Sequence, residues 1–87
     1  MLTAVTSTES VDLGARLRAA VVKVVDDVDQ SGAIDELRAG LAWTAACGHT
    51  CRLTGPVAAV RRAIGEIQDG DAAAAEGSLR AALAALR

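Results

Sequence analysis

Residues 54–71, TGPVAAVRRAIGEIQDGD, contain the start, the apolar face and the end of one helix. Thr54 or Gly55 is placed to cap this helix, and Pro56 falls in its first turn, where a missing N–H costs no hydrogen bond. Apolar side chains then recur at steps of three and four residues, which is the spacing of one helical face. These residues are Val57, Val60, Ile64 and Ile67. The stretch therefore predicts a helix with a narrow buried face.

A further helix is predicted directly after this one. Gly70 ends the helix before it, and Asp71 is placed to cap the new one. Glu76 and Arg80 are four residues apart, in the order that favours an ion pair on a helix surface. The apolar residues of this helix are Ala75, Leu79, Ala82, Leu83 and Leu86. Because the turn between the two helices is short, we expect them to pack as a hairpin.

A long amphipathic helix is predicted in the first third of the chain. Thr6 and Glu9 have the spacing of a capping box, so we expect this helix to start at Thr6 and to run for roughly 24 residues. Residues 1–6 are expected to be flexible. Valines between residues 21 and 25 favour a strand, but the apolar positions follow the helical period. These positions are Leu13, Leu17, Ala20, Val21, Val24, Val25 and Val28.

The next helix combines a conventional apolar face with a second face of small residues. Ser31 is its expected N-terminal cap and Gly48 its expected C-terminal cap. Its apolar face consists of Ile34, Leu37, Leu41 and Ala45, and Ala39, Gly40, Trp43, Ala46 and Cys47 lie on the neighbouring face. Small residues on two sides allow close helix approach, so we expect this helix to be central. Trp43, the only Trp, Tyr or Phe in the chain, is expected to contribute most to the core.

These segments predict an all-α fold, a four-helix antiparallel bundle made of two helical hairpins in one domain spanning residues 1–87. A chain of this size buries only about 60 to 65% of its unfolded surface. The apolar residues, 52% of the chain, are mostly small, with 20 alanines. We therefore expect the stability of the monomer to be small, and association with other chains to increase it.

The length of the first helix indicates where association would occur. At about 35 Å it would overhang neighbours of roughly 21 to 24 Å and leave apolar side chains without partners in the same chain. We therefore expect a homo-oligomer, most simply a homodimer. The expected interface residues are Leu13, Leu17, Val21, Val24, Val28 and Trp43.

The charge balance argues against nucleic acid as a partner, because 9 Lys and Arg stand against 11 Asp and Glu. A helix-turn-helix interpretation, with Arg52, Arg61 and Arg62 as the basic group, requires a shorter connecting loop than this sequence has. Residues 1–10 lack the features of a signal peptide, and the sequence has no apolar stretch of about 20 residues. We therefore expect a cytoplasmic protein without a membrane partner.

All the cysteine and histidine of the chain lies in residues 47–51. Cys47, His49 and Cys51 are candidate zinc ligands, although the pattern supplies no fourth ligand. Alternatively, a break at Gly48 would allow Cys47 and Cys51 to form a redox-active disulfide. In the third interpretation both cysteines pack as small hydrophobic side chains.

The expected function is non-enzymatic: protein–protein interaction or self-assembly in an adaptor, structural or regulatory role. The sequence has neither a G-x-S-x-G motif nor a glycine-rich phosphate loop, and we assign no catalytic residue and no cofactor. The partner is expected to be a second copy of the chain, with a heterologous protein as a further option. The alternative is a thiol-redox or metal-binding regulator that uses the Cys47, His49 and Cys51 cluster, with zinc as its metal.

Metal analysis and thiol counting separate these interpretations. We expect protein purified without chelator to carry no stoichiometric metal, and both cysteines to remain titratable as thiols after mild oxidation. One bound zinc ion per chain would support the metal site instead, and loss of both thiols would support the disulfide.

Overall fold

A computed structural model describes residues 14–46, 48 and 52–86. These residues form four α-helices, which we number α1 (Ala15–Val25), α2 (Ala33–Ala46), α3 (Thr54–Gln68) and α4 (Ala72–Ala85). The described part of the chain consists of helices and irregular connecting segments, without strands. The all-α prediction is therefore confirmed for these residues. None of the four helices has both the length and the apolar character needed to cross a bilayer.

The start of α1 differs from the sequence prediction. Gly14 has φ 82° and ψ 0°, a left-handed conformation that a right-handed helix does not contain, so α1 begins at Ala15. The prediction of one continuous helix from Thr6 is therefore wrong, and α1, with 11 residues, is the shortest of the four helices. Thr6, Glu9 and the segment predicted to be flexible, residues 1–6, lie outside the described residues.

The end of α1 also comes earlier than predicted. The helix stops at Val25, and the chain turns through residues 26–32. The side-chain amide of Gln30 donates to the carbonyl oxygens of Lys23 (2.9 Å) and Asp27 (3.0 Å). A carbonyl in the last turn of a helix has no partner within the helix, so Gln30 stabilises this end of α1 from outside.

The first turns of α2 and α3 are also capped differently from the predictions. Gly32, with φ 86°, directly precedes α2, and its carbonyl accepts the N–H of Glu36 at 2.9 Å. Ser31, the predicted cap, is therefore not the residue next to the helix, since Gly32 stands between it and Ala33. Leu53 rather than Thr54 or Gly55 occupies the cap position of α3.

The turn between α3 and α4 forms as the sequence predicts. Gly70 adopts φ 80° and its N–H donates to the carbonyl of Ile67 at 3.0 Å, while the N–H of Asp71 reaches the carbonyl of Glu66 at 2.8 Å. This pair of bonds is a Schellman motif, which satisfies the last carbonyls of α3. The carboxylate of Asp71 then caps α4 by accepting the N–H of Ala74 at 3.1 Å. The predicted roles of Gly70 and Asp71 are confirmed.

The helices pack in two pairs. The contacts of α1 with α2 and of α3 with α4 are the most extensive, and smaller contacts of α1 with α4 and of α2 with α3 join the pairs. The prediction that α2 is central is therefore wrong, because the contact of α1 with α4 joins the two pairs more extensively than the contact of α2 with α3 does. The core is aliphatic, and its largest fully buried side chains are Leu17, Val21, Val24, Leu37, Val60 and Leu79.

The contact between α1 and α2 depends on Gly40. A Cβ atom at this position would lie 2.8 Å from the Cβ of Ala20 and 3.5 Å from the Cα of Leu17. The two helices therefore approach each other so closely that no side chain fits at Gly40. Gly77 is also in a helix interior, but a Cβ there would meet nothing within 4 Å.

We predict opposite effects for the same substitution at these two glycines. Gly77→Ala removes backbone freedom from the unfolded chain and should raise the free energy of unfolding by about 0.5 to 1 kcal/mol. Gly40→Ala forces α1 and α2 apart and should lower it by about 1 to 3 kcal/mol. Urea unfolding monitored by circular dichroism measures both free energies of unfolding. If Gly40→Ala is as stable as Gly77→Ala, the close contact of α1 and α2 at Gly40 is contradicted.

Candidate functional site

The tryptophan lies on the surface rather than in the core. Trp43 is 48% exposed, so the prediction that it contributes most to the core is wrong. The buried face of α2 consists of Ala33, Leu37, Gly40 and Thr44. Because each residue turns a helix by about 100°, Trp43 lies to the side of this face, towards α1. The close contact at Gly40 leaves no room for an indole ring between the two helices.

Arg16 covers the ring of Trp43. Its guanidinium carbon lies 4.2 Å from the centre of the ring, within the range of a cation–π interaction. Arg16 is in the first turn of α1 and Trp43 is near the end of α2. The stacked pair therefore joins the two helices at their exposed edge and restricts the rotamers of both side chains.

The exposed edge continues along both helices. At its other end, Lys23 Nζ lies 3.5 Å from a carboxylate oxygen of Glu36. Ala19 is three residues from Arg16 and four from Lys23, and Ala39 has the same spacing from Glu36 and Trp43, so helical geometry places both alanines between the two pairs. We call this surface the α1–α2 outer face, defined by Arg16, Ala19, Lys23, Glu36, Ala39 and Trp43.

The other predicted interface residues are covered within the chain. Leu17, Val21 and Val24 are 0% exposed and Val28 is 7% exposed, because the core packs against them. The prediction that a long first helix leaves them without intramolecular partners is wrong, since α1 is short. Leu13 lies outside the described residues. Among the predicted interface residues that the structure describes, only Trp43 presents an exposed side chain.

Val22 is a second exposed large apolar side chain, at 50%. It lies six residues after Arg16, which places it about 120° around α1 from that residue. Val22 adjoins Ala19, three residues before it, and lies about 200° around α1 from Ala20, whose side chain contacts α2. It is therefore at the margin of the outer face, on the side away from α2 and Trp43.

A polar network joins α3 to α4. The hydroxyl of Ser78, only 7% exposed, donates to Glu66 Oε1 at 2.7 Å and accepts from Arg62 Nε at 3.2 Å. The Ser78 hydroxyl thus links the side chains of Arg62 and Glu66, so Arg62 takes part in the contact between α3 and α4. Arg52 and Arg61 are exposed. The predicted pair of Glu76 and Arg80 forms, with N–O distances of 2.9 and 2.7 Å.

An open cleft of about 300 Å³ lies beside the turn between α1 and α2. Its lining includes Val28, Gln30, Ile34 and Asp35, together with Ile67 from the end of α3. Every buried side-chain nitrogen or oxygen in the described part of the chain has a hydrogen-bond partner. The described residues therefore place no buried side-chain nitrogen or oxygen without a hydrogen-bond partner in the cleft.

The candidate metal and redox residues Cys47, His49 and Cys51 lie outside the described residues, so these hypotheses stay predictions. Gly48 is described: it has φ 74° and its N–H donates to the carbonyl of Ala45 at 3.0 Å. This geometry confirms Gly48 as the residue that ends α2. Within residues 14–46, 48 and 52–86, no three His, Cys, Asp or Glu side chains come together as metal ligands.

Comparison of the chain with protein-family models, with curated proteins and with solved structures finds no match in any of the three.

We predict that Ser78→Ala lowers the free energy of unfolding by about 0.5 to 1.5 kcal/mol, because Arg62 and Glu66 lose the hydroxyl that links them. Ser31→Ala, in an exposed turn, is the control and should change stability by less than about 0.5 kcal/mol. A double-mutant cycle with Glu66→Ala, which removes the acceptor of the Ser78 hydroxyl, measures the coupling. Zero coupling between Ser78 and Glu66 would show that the network does not stabilise the α3–α4 contact.

Proposed function

We propose that this chain is a non-enzymatic interaction module that binds a second copy of itself through the α1–α2 outer face. The observation that supports the proposal is the position of Trp43. Full burial of a large apolar side chain contributes about 1.5 to 3 kcal/mol to stability. This chain has only one Trp, Tyr or Phe and a core of small side chains, yet Trp43 remains 48% exposed.

Two residues of the outer face, Trp43 and Arg16, are of the types that dominate protein interfaces. Trp and Arg are enriched among the residues that contribute most to binding. Stacking of Arg16 on Trp43 orders both side chains before association, which lowers the entropy lost on binding. Ala19 and Ala39 project only methyl groups between the Arg16–Trp43 stack and the Lys23–Glu36 ion pair, so a facing helix can approach closely there.

The proposal includes an antiparallel arrangement of the helices in two hairpins. Arg16 at the start of α1 contacts Trp43 near the end of α2, and Lys23 near the end of α1 contacts Glu36 near the start of α2. This order of contacts supports an antiparallel pair. The short turn at Gly70 supports the same arrangement for α3 and α4.

We assign the module no catalytic residue and a cytoplasmic location. In support, the sequence has a single His and lacks a hydrolase nucleophile motif. Two cysteines also fit a reducing compartment, where they need not form a disulfide framework.

Sedimentation equilibrium of wild type, Trp43→Ala and Val22→Ala tests the proposal. We expect a wild-type mass of twice the 8.8 kDa chain and a Kd raised by roughly 30-fold or more in Trp43→Ala, as for an interface residue worth about 2 kcal/mol. Val22→Ala removes an equally exposed apolar side chain at the margin of the outer face, on the side away from Trp43, and should raise the Kd far less than Trp43→Ala does.

Fluorescence gives a second measurement on the unaltered chain, since Trp43 is its only indole. Its emission should shift to shorter wavelength as protein concentration rises through the Kd, because association removes water from the ring. A wild-type protein that is monomeric at every concentration contradicts the proposal. Equal dissociation of Trp43→Ala and Val22→Ala would also contradict it.

A further inference from the structure

Trp43 lies among side chains of its own helix that are too small to hold an indole ring. The described residues about one turn away on α2 are Ala39, Gly40 and Ala46, and the largest of their side chains is a methyl group. An exposed side chain changes rotamer within picoseconds to nanoseconds unless a neighbour restricts it. These three residues therefore restrict the indole of Trp43 very little.

A side chain of the other helix restricts the indole instead. The guanidinium carbon of Arg16 lies 4.2 Å from the centre of the Trp43 ring. A guanidinium is planar and stacks on the face of an aromatic ring. Because this contact occupies one face of the ring, Trp43 cannot change rotamer without losing it. Arg16 thus favours one orientation of the indole.

The stacked arginine leaves the ring accessible to a partner. With Arg16 in contact, Trp43 is still 48% exposed. A side chain that shielded the indole from a partner would have to cover most of the ring. Arg16 therefore orients the indole without closing it off.

The stack adds little to the stability of the fold. Both side chains are exposed, and a cation–π interaction at an exposed site is weak. Arg16 also places a positive charge in the first turn of α1, where the helix dipole disfavours it by a similar amount and where α1 has no acidic residue. The contact of α1 with α2 depends instead on the close approach at Gly40 and on the buried core.

We infer that Arg16 is a positioning residue for the self-association: it holds the indole of Trp43 in the orientation in which the second copy binds it. This inference rests on the proposed function, since it assigns a role within the same interface. Ordering a side chain at an interface costs free energy on binding, and a side chain that is ordered beforehand avoids this cost. Arg16 therefore lowers the Kd through Trp43 and not through a contact of its own with the second copy.

Sedimentation equilibrium of Arg16→Ala tests this role. We expect the Kd to rise about 5-fold or more, because each dimer then has two indoles to order on association. In a Trp43→Ala background the same substitution should change the Kd by less than about 2-fold, since no indole is left to position. Arg16→Lys keeps the charge but loses the planar group, so its Kd should lie closer to that of Arg16→Ala than to that of wild type.

Arg18→Ala is the matched control. It removes the same charge from the same turn of α1, but it lies two residues from Arg16, about 200° around the helix and away from the outer face. Its Kd should stay within about 2-fold of wild type. The melting temperature of Arg16→Ala should stay within about 4 °C of wild type, so that a loss of folded protein does not account for its weaker association.

Time-resolved fluorescence anisotropy measures the motion of the ring itself, since Trp43 is the only indole in the chain. At concentrations below the Kd, the wild type should show only the tumbling of the whole chain. Arg16→Ala should add a faster decay, because the unstacked ring moves on its own. A merely structural role of Arg16 in the helix pair would leave the decay unchanged.

An unchanged or lowered Kd of Arg16→Ala would overturn the inference. An equal rise of the Kd in the wild-type and the Trp43→Ala backgrounds would also overturn it, because Arg16 would then bind the second copy itself. In both cases Trp43→Ala still dissociates the dimer, and the proposed function stands. If the wild type is monomeric at every concentration, the proposed function fails and this inference fails with it.

Discussion

The close contact of α1 and α2 at Gly40 constrains the rest of the structure. The missing side chain lets the Cβ of Ala20 and the backbone at Leu17 lie directly against α2, with no space for a larger group. A core closed at this distance accepts aliphatic side chains, and the largest fully buried ones are Leu and Val. Trp43, one helical turn after Ala39, is consequently held at the edge of the helix pair, where Arg16 stacks on its ring. The position of the outer face therefore follows from a packing constraint.

The α3–α4 pair is held together differently. Its turn closes through backbone hydrogen bonds at Gly70 and through the side-chain cap at Asp71, and Ser78 bridges the two helices with a hydroxyl. Each buried polar side-chain atom in the described part has a hydrogen-bond partner within the fold.

The sequence predictions were accurate where the interactions that decide the structure join residues a few positions apart in the chain. Asp71 caps α4 through an N–H three residues away, and Gly70 ends α3 through bonds that span at most five residues, so short patterns were sufficient. Gly14 was missed because a continuous apolar periodicity hid the glycine in the middle of a helix prediction. A Cβ at Gly14 would lie 3.0 Å from the side chain of Leu86 and 3.3 Å from that of Leu53. Gly14 therefore packs against residues that are distant in sequence, which local patterns do not reveal.

The sequence by itself determined the helical class, the boundary between α3 and α4 and the buried stripe of α1, because periodicity and caps act within a few residues. Only the tertiary structure decided which side chains remain exposed. The sequence of α2 alone does not tell whether Trp43 or Leu37 enters the core. The close approach of Gly40 to the Cβ of Ala20 buries Leu37 and leaves Trp43 exposed. The physical reason is that interhelical distance is set by residues far apart in the chain, and this distance decides whether an aromatic ring is buried or left available for binding.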